Sequence, residues 1–173
     1  MGKVLTYETK DGIIKGIINE TEAYTEDDES CHAFNGNKTK KNEIMFKRAG
    51  HLYVYFTYGM YHCCNVVTGL ENKGEAVLIR SVIPIKGRDQ MIKNRKLDFE
   101  NKKQLSNISN GPAKLCIAYG LDKNHNGIDL LDKNSKIYLE DLNYKPKNIG
   151  NTTRIGISKA KELMWRWHCK EFE

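Results

Sequence analysis

A chain of 173 residues holds one ordinary domain, and its 39% of hydrophobic residues can fill a core without metals or disulfides. Nine tyrosines, five phenylalanines and two tryptophans exclude a disordered chain; no apolar run nears the roughly 20 residues of a membrane span, and the first residues lack the apolar stretch of a secretion signal. Twenty-eight lysines and arginines against 22 acidic residues leave a formal charge of +6, which fits a polyanionic partner as well as it fits a lysine coat kept for solubility.

No repeat, low-complexity tract or proline-rich linker divides the chain, so residues 1–173 read as a single domain. The run Gly12–Tyr24 is rich in β-branched residues and predicts a strand. Near its end Glu20 and Glu22 project to one face and Thr21 to the other. Such a pair is a solvated strand edge in most sequences; pointed into a cleft, it supplies a general base. An acidic stretch at 25–30 follows, then Cys31-His32-Ala33-Phe34 and a basic stretch at 37–42.

In residues 51–67, Leu52, Val54 and Phe56 alternate with Tyr53, Tyr55 and Thr57, Gly59 permits a tight turn, and Tyr61–Val67 resume as a second strand. This predicts a β-hairpin whose tip carries Tyr58 and Met60. Tyrosines within the strands suit ordinary sheet positions, but a bulky ring beside Gly59 has little core to enter, and an exposed aromatic tip can wedge between base pairs. Residues 75–83 predict a third strand, stopped by Pro84, with Arg80 in an apolar run. A guanidinium there either turns outward on a half-exposed strand or pairs with an anion, for which Glu20 and Glu22 are the candidates.

Helices are predicted at 86–96 and 111–120, the second with proline near its start and glycine just past its end. The polar stretches 98–110, 122–126 and 143–152 read as surface loops. Residues 158–171 fit a helix capped by Ser158, whereas the alternation of Trp165 and Trp167 fits a strand, and the pattern leaves both open.

Five cysteines, Cys31, Cys63, Cys64, Cys116 and Cys169, form an odd set without a CxxC spacing, which points to buried or half-buried thiols in a reducing compartment. A zinc site drawn on Cys31-His32 or His62-Cys63-Cys64 matches no tetrahedral ligand spacing. The signatures of dinucleotide binding, P-loops, zinc hydrolases, serine hydrolases and zinc deaminases are absent.

Several segments together resemble the alkyladenine (3-methyladenine) DNA glycosylase family. They are Glu20-Thr21-Glu22-Ala23-Tyr24, His32, Asn42 with Met45-Phe46, the run from Leu52 through Tyr58-Gly59-Met60-Tyr61 to Asn65, Ala76-Val77-Leu78-Ile79-Arg80, Gly111-Pro112 with Lys114-Leu115, and Arg154-Ile155-Gly156-Ile157. These matches are collinear and span residues 12–158. The resemblance implies an α+β fold: a single mixed domain with a curved antiparallel sheet, flanking helices and a protruding β-hairpin that enters the DNA minor groove. It implies a monofunctional hydrolase of base-excision repair that flips out alkylated purines and cleaves their N-glycosidic bond, with no cofactor and no metal. By the same resemblance Glu22 would activate the water and Arg80 would hold it; Tyr24 would form one wall of the base pocket, with His32 and Tyr55 forming the other. Asn65 would exclude guanine at the floor, and Tyr58 with Met60 would intercalate.

The partner is then double-stranded DNA carrying alkylated bases, bound by a monomer without a membrane, in the cytoplasm on a bacterial nucleoid or in a eukaryotic nucleus. Two departures from the family pattern are visible: Lys41-Asn42 replaces the usual Arg-Asn, and the chain stops at Glu173, shortly after Trp165-Arg166-Trp167. The resemblance supplies no nucleophilic lysine for strand cleavage through a Schiff base, and nothing in the sequence offers a cofactor site for acyl or formyl transfer. The different-class alternative is a non-catalytic binder of damaged DNA on the same scaffold, which would not need Glu22.

Overall fold

The long β-branched run forms the spine of the sheet. In a computed structural model, which describes residues 1–169 and 171, it is strand β2 (Gly12–Tyr24). One edge of β2 pairs with β5 (Ala76–Lys86). The other edge is shared: β1 (Val4–Thr9) takes residues 12–17 and β8 (Arg166–Cys169) takes residues 20–22. With β3 (Leu52–Thr57), β4 (Tyr61–Val67), β6 (Ile137–Glu140) and β7 (Ile149–Thr152), the described residues form a curled antiparallel sheet in the order β3-β4-β5-β2-β1-β6, with β7 and β8 joined to the end of β2. The fold is α+β.

Bulges along the β2/β5 ladder produce the curl. Ile18 faces Val82 while Glu20 faces Ser81 and Thr21 faces Ile79, so Asn19 on β2 and Arg80 on β5 are extra residues. A bulge bends its strand, raises the local twist and re-aims a side chain. A third irregularity lies between Lys15 and Gly16, and there β5 continues through Pro84 to Lys86 instead of stopping. A proline is tolerated in a strand where the ladder is already broken. Gly16 opposite it is needed for packing, because a Cβ would lie 2.7 Å from Val82 Cγ2 and 2.8 Å from Tyr119 Oη.

One face of the sheet carries the main core. Leu5, Ile14, Ile18, Leu52, Val54, Cys64, Ile79 and Val82 pack beneath α1 (Arg88–Arg95) and α3 (Pro112–Tyr119), which contribute Met91, Ile92, Leu115, Cys116 and Tyr119. Both helices sit within their predicted windows, and each ends on a left-handed residue, Lys96 and Gly120. The opposite face has a smaller cluster, Cys31, Ala33, Ile44, Met45, Phe46, Tyr53, Val67 and Ala76, with Tyr24 and Tyr55 at its margin. All five cysteines are buried free thiols.

The three polar stretches are not uniformly irregular. They contain the short helix α2 (Lys102–Leu105), a 3₁₀ turn (Lys123–His125) and strand β7. Their lengths of three or four residues leave too few apolar positions for a period to register. Of the two readings of 158–171, the strand is realised at Arg166–Cys169, whereas Ser158 starts no helix. Lys170, Phe172 and Glu173, where the chain's end was read, lie outside the described residues.

Candidate active site

The end of β2 carries Glu22 into a position with no solvent exposure, which a lone carboxylate would not tolerate. It is not alone. Glu22 Oε1 accepts a hydrogen bond from the Ile155 amide at 2.8 Å and lies 3.2 Å from Arg80 Nη1, while Oε2 accepts from the Tyr24 hydroxyl at 2.9 Å. Arg80 Nε donates to Glu20 Oε1 at 2.8 Å. Glu20 and Glu22 therefore share a face, as alternation required, and both hold Arg80, which is buried rather than turned outward. Burial opposes the charge on Arg80, but the two carboxylates overcome it and raise its pKa. Burial opposes ionisation of Glu20 too, and hydrogen bonds from Arg166 and Arg80 nonetheless hold its carboxyl below the usual range.

Glu22 and Arg80 form part of the wall of a pocket of about 440 Å³ that Tyr24, His32, Tyr55, Tyr58 and Asn65 also line. Seven of the eight residues singled out from sequence thus meet at one cavity. Met60 is the eighth; it stands outside the lining, 65% exposed on the hairpin tip.

The aromatic wall is preorganised. His32 Nδ1 lies 2.9 Å from the Tyr53 hydroxyl, its ring meets Tyr55 edge-on at 4.6 Å, and Tyr53 and Tyr55 stack at 5.5 Å. Desolvation holds the His32 pKa below the ordinary value of 6.5, leaving a neutral ring at neutral pH. Burial, reinforced by Glu22, raises the Tyr24 pKa, so its hydroxyl keeps the proton it donates. Burial likewise pushes the Cys63 thiol in the same pocket up to about 11. Asn65 is fixed by donating from Nδ2 to the Tyr53 carbonyl at 3.1 Å.

Tyr58 lies in the left-handed region at φ 51°, followed by Gly59 at 68°, and 77% of its surface is exposed. Bulky residues avoid that conformation; here the tight turn imposes it, the Met60 amide donating to the Thr57 carbonyl at 3.3 Å. Phe56, on the core-facing parity of β3, has run past the core at this end of the hairpin and rests on His62 at 5.1 Å.

Several participants had no role assigned from sequence. The Ile155 amide reaches Glu22 because Arg154, one residue earlier, is clamped by Asp28 in a buried bidentate pair, also donates to the Ala23 carbonyl at 2.9 Å, and lies 4.7 Å over the Tyr24 ring. Arg166 reaches Glu20 from β8 at 2.6 Å. At the pocket rim Ser30 Oγ donates to the Lys159 carbonyl at 2.5 Å, and Lys159 Nζ lies 3.5 Å from Glu29. Cys31-His32 and His62-Cys63-Cys64 do not converge: among the described residues no three His, Cys, Asp or Glu side chains group so as to hold a metal ion.

The arrangement offers a buried carboxylate with fixed donors, a guanidinium beside it, and a ring-lined slot opening next to an exposed aromatic hairpin. A model of the family described as methylpurine-DNA glycosylase matches residues 1–173. A protein of Francisella tularensis named "Putative 3-methyladenine DNA glycosylase" is 44% identical over 173 residues, covering 99% of this chain and 86% of its own length. Two from Clostridium botulinum carry the same name at 41% identity over 180 residues and 38% over 179, each covering 99% of this chain and 87% of the relative.

Proposed function

The chain belongs to the methylpurine-DNA glycosylase family and so is a DNA glycosylase for alkylated bases, and we propose that it works by turning the damaged purine nucleotide out of the duplex into the 440 Å³ pocket and hydrolysing its N-glycosidic bond with a water activated by Glu22. The observation that carries this reading is the Glu22 carboxylate: wholly buried, paired with Arg80, and set in the wall of a slot lined by Tyr24, His32 and Tyr55.

Glu22 takes the proton of the attacking water, the water oxygen bonds to the sugar carbon, and the base departs with the electrons of the glycosidic bond. Positive charge develops on the sugar in the transition state, and the nearby carboxylate stabilises it. Arg80 holds carboxylate and water in register. An N-alkylated purine is cationic; it is attracted by the electron-rich rings of Tyr24 and Tyr55 and leaves as a neutral base. Asn65 crowds the exocyclic amine of guanine, which protects the undamaged base. Tyr58 fills the space left in the stack, with Met60 beside it in the minor groove.

One chain supplies pocket, carboxylate and hairpin, which supports action as a monomer on duplex DNA, in whichever compartment holds that DNA. The test is base release, without added metal, from duplexes carrying methyladenine, methylguanine, hypoxanthine or undamaged purines. Wild type releases the methylated purines, and Glu22→Gln slows that release by about 10²- to 10⁴-fold while still binding lesion duplex. Tight binding by wild type with release from none of the duplexes would make the protein a damage binder instead.

A further inference from the structure

The C-terminal strand delivers a second guanidinium to the site. Arg166 on β8 is the ladder partner of Glu22, yet its side chain goes to the neighbouring carboxylate: Nε donates to Glu20 Oε1 at 2.6 Å. The same oxygen accepts from Arg80 Nε at 2.8 Å, and Arg80 in turn reaches Glu22 through Nη1. Arg166 is anchored from its far side, where Nη1 donates to Thr152 Oγ1 at 2.8 Å on β7. Two carboxylates and two guanidinia thus form a charge-balanced row, Arg166 to Glu20 to Arg80 to Glu22. Neither Arg166 nor Glu20 lines the pocket.

A carboxylate with one cationic partner follows that partner when it moves; a carboxylate pinned from behind holds it still. Arg80 needs such a hold, because it is the extra residue of a bulge and its backbone position has no partner across the β2/β5 ladder. We propose that Arg166 is a positioning residue for glycosidic hydrolysis, fixing Arg80 against Glu22 through Glu20. The proposal rests on the reading of Glu22 as the carboxylate that activates water. Arg166 touches neither base nor sugar in this scheme, so its removal alters the rate of the chemical step and leaves recognition of the lesion alone.

The experiment compares single-turnover release of methylated purine with lesion-duplex affinity in the full chain. Arg166→Gln lowers the release rate by about 10- to 100-fold, as expected for misplacement of a group beside the reacting atoms. Lesion affinity stays within about threefold, the signature of an interaction lost only in the transition state. Arg166→Lys, which restores the cation but not the fork, recovers part of the rate. Thr152→Val, which removes the far anchor without changing charge, gives a smaller loss in the same direction and serves where Arg166→Gln does not fold. Wild-type release by Arg166→Gln, or by Thr152→Val if the former does not fold, overturns the proposal, as does a loss of affinity that matches the loss of rate. Glu22→Gln run alongside separates the two levels: full release by that variant overturns the underlying reading, whereas its failure beside an unaffected Arg166→Gln overturns only the role of Arg166.

Discussion

Neutrality of His32 matters because of what the slot is meant to hold. Tyr53 and Tyr55 contact the imidazole, and desolvation keeps its pKa below 6.5, so protonation comes only as pH falls below the ordinary histidine range. Once charged, the ring would repel a cationic N-alkylpurine but not a neutral lesion such as hypoxanthine. Lesion affinity measured in Glu22→Gln, where neither hydrolysis nor that carboxylate intervenes, is therefore expected to stay flat through neutral pH. On further acidification it falls for methylguanine duplex and much less for hypoxanthine duplex. His32→Phe removes the difference between the two profiles; equal acid sensitivity of both lesions in the histidine form would show that the ring does not face the base. His32 was legible from sequence through the company it keeps with the Glu-Thr-Glu-Ala-Tyr run. The Ile155 amide was not, because a backbone donor carries no residue identity and any side chain at 155 presents the same N–H.

Between elements, the strongest tie at the site is the Asp28/Arg154 pair. It joins the acidic loop after β2 to the segment that follows β7, and both side chains have no solvent exposure. Asp28 also caps its own loop, accepting from the Ser30 amide at 2.9 Å. Arg154, stacked on Tyr24 and lying 5.3 Å over Trp165, sets the backbone from which the Ile155 amide reaches Glu22. Removing one partner leaves a buried charge without compensation. Asp28→Ala is expected to lower stability by about 3 kcal/mol, the low end for an orphaned buried ion, since Arg154 lies against Tyr24 in the wall of the open pocket. Replacing both residues, as Asp28→Leu with Arg154→Met, should be less damaging than Asp28→Ala alone, and denaturant unfolding of the three proteins decides it. A double replacement that is worse than the single would mean that the hydrogen bonds to Ala23 and Ser30, not the buried charge, hold this junction. A β-branched run made β2 legible, alternation the hairpin and an apolar run β5 as far as Pro84, while proline and glycine at its ends marked α3. The local pattern suggested no strand at β1, β6 or β7 and left β8 as one of two readings; β6 and β8 take their places by pairing with β1 and β2, far away in the chain. Pairing of β8 with β2 is what places Arg166 at the site, so a local reading that left 158–171 open necessarily left Arg166 without a role.

Over the whole molecule, the proposed function assigns the finding of a lesion to the net positive charge and its holding to the hairpin tip. The formal charge of +6 was legible from composition, and each phosphate neutralised releases a counterion, so binding to undamaged duplex should weaken steeply with salt. In the proposed role Tyr58 holds the opened duplex by stacking, which salt screens little. Its left-handed backbone at an exposed tip carries a conformational penalty of about 1–2 kcal/mol for a residue with a Cβ, and glycine escapes that penalty while losing more chain entropy on folding. Tyr58→Gly is therefore expected to leave the fold as stable as wild type or up to about 1 kcal/mol more so. The same change should weaken lesion-duplex binding by roughly 5- to 100-fold, the value of one lost base–aromatic stack, without altering the slope of affinity against salt. Unfolding curves and salt-dependent binding isotherms on one preparation check both halves. Equal affinity of the two proteins for lesion duplex would show that the strain at Tyr58 serves something other than holding the opened stack, and a shallower salt slope would place Tyr58 among the phosphate contacts.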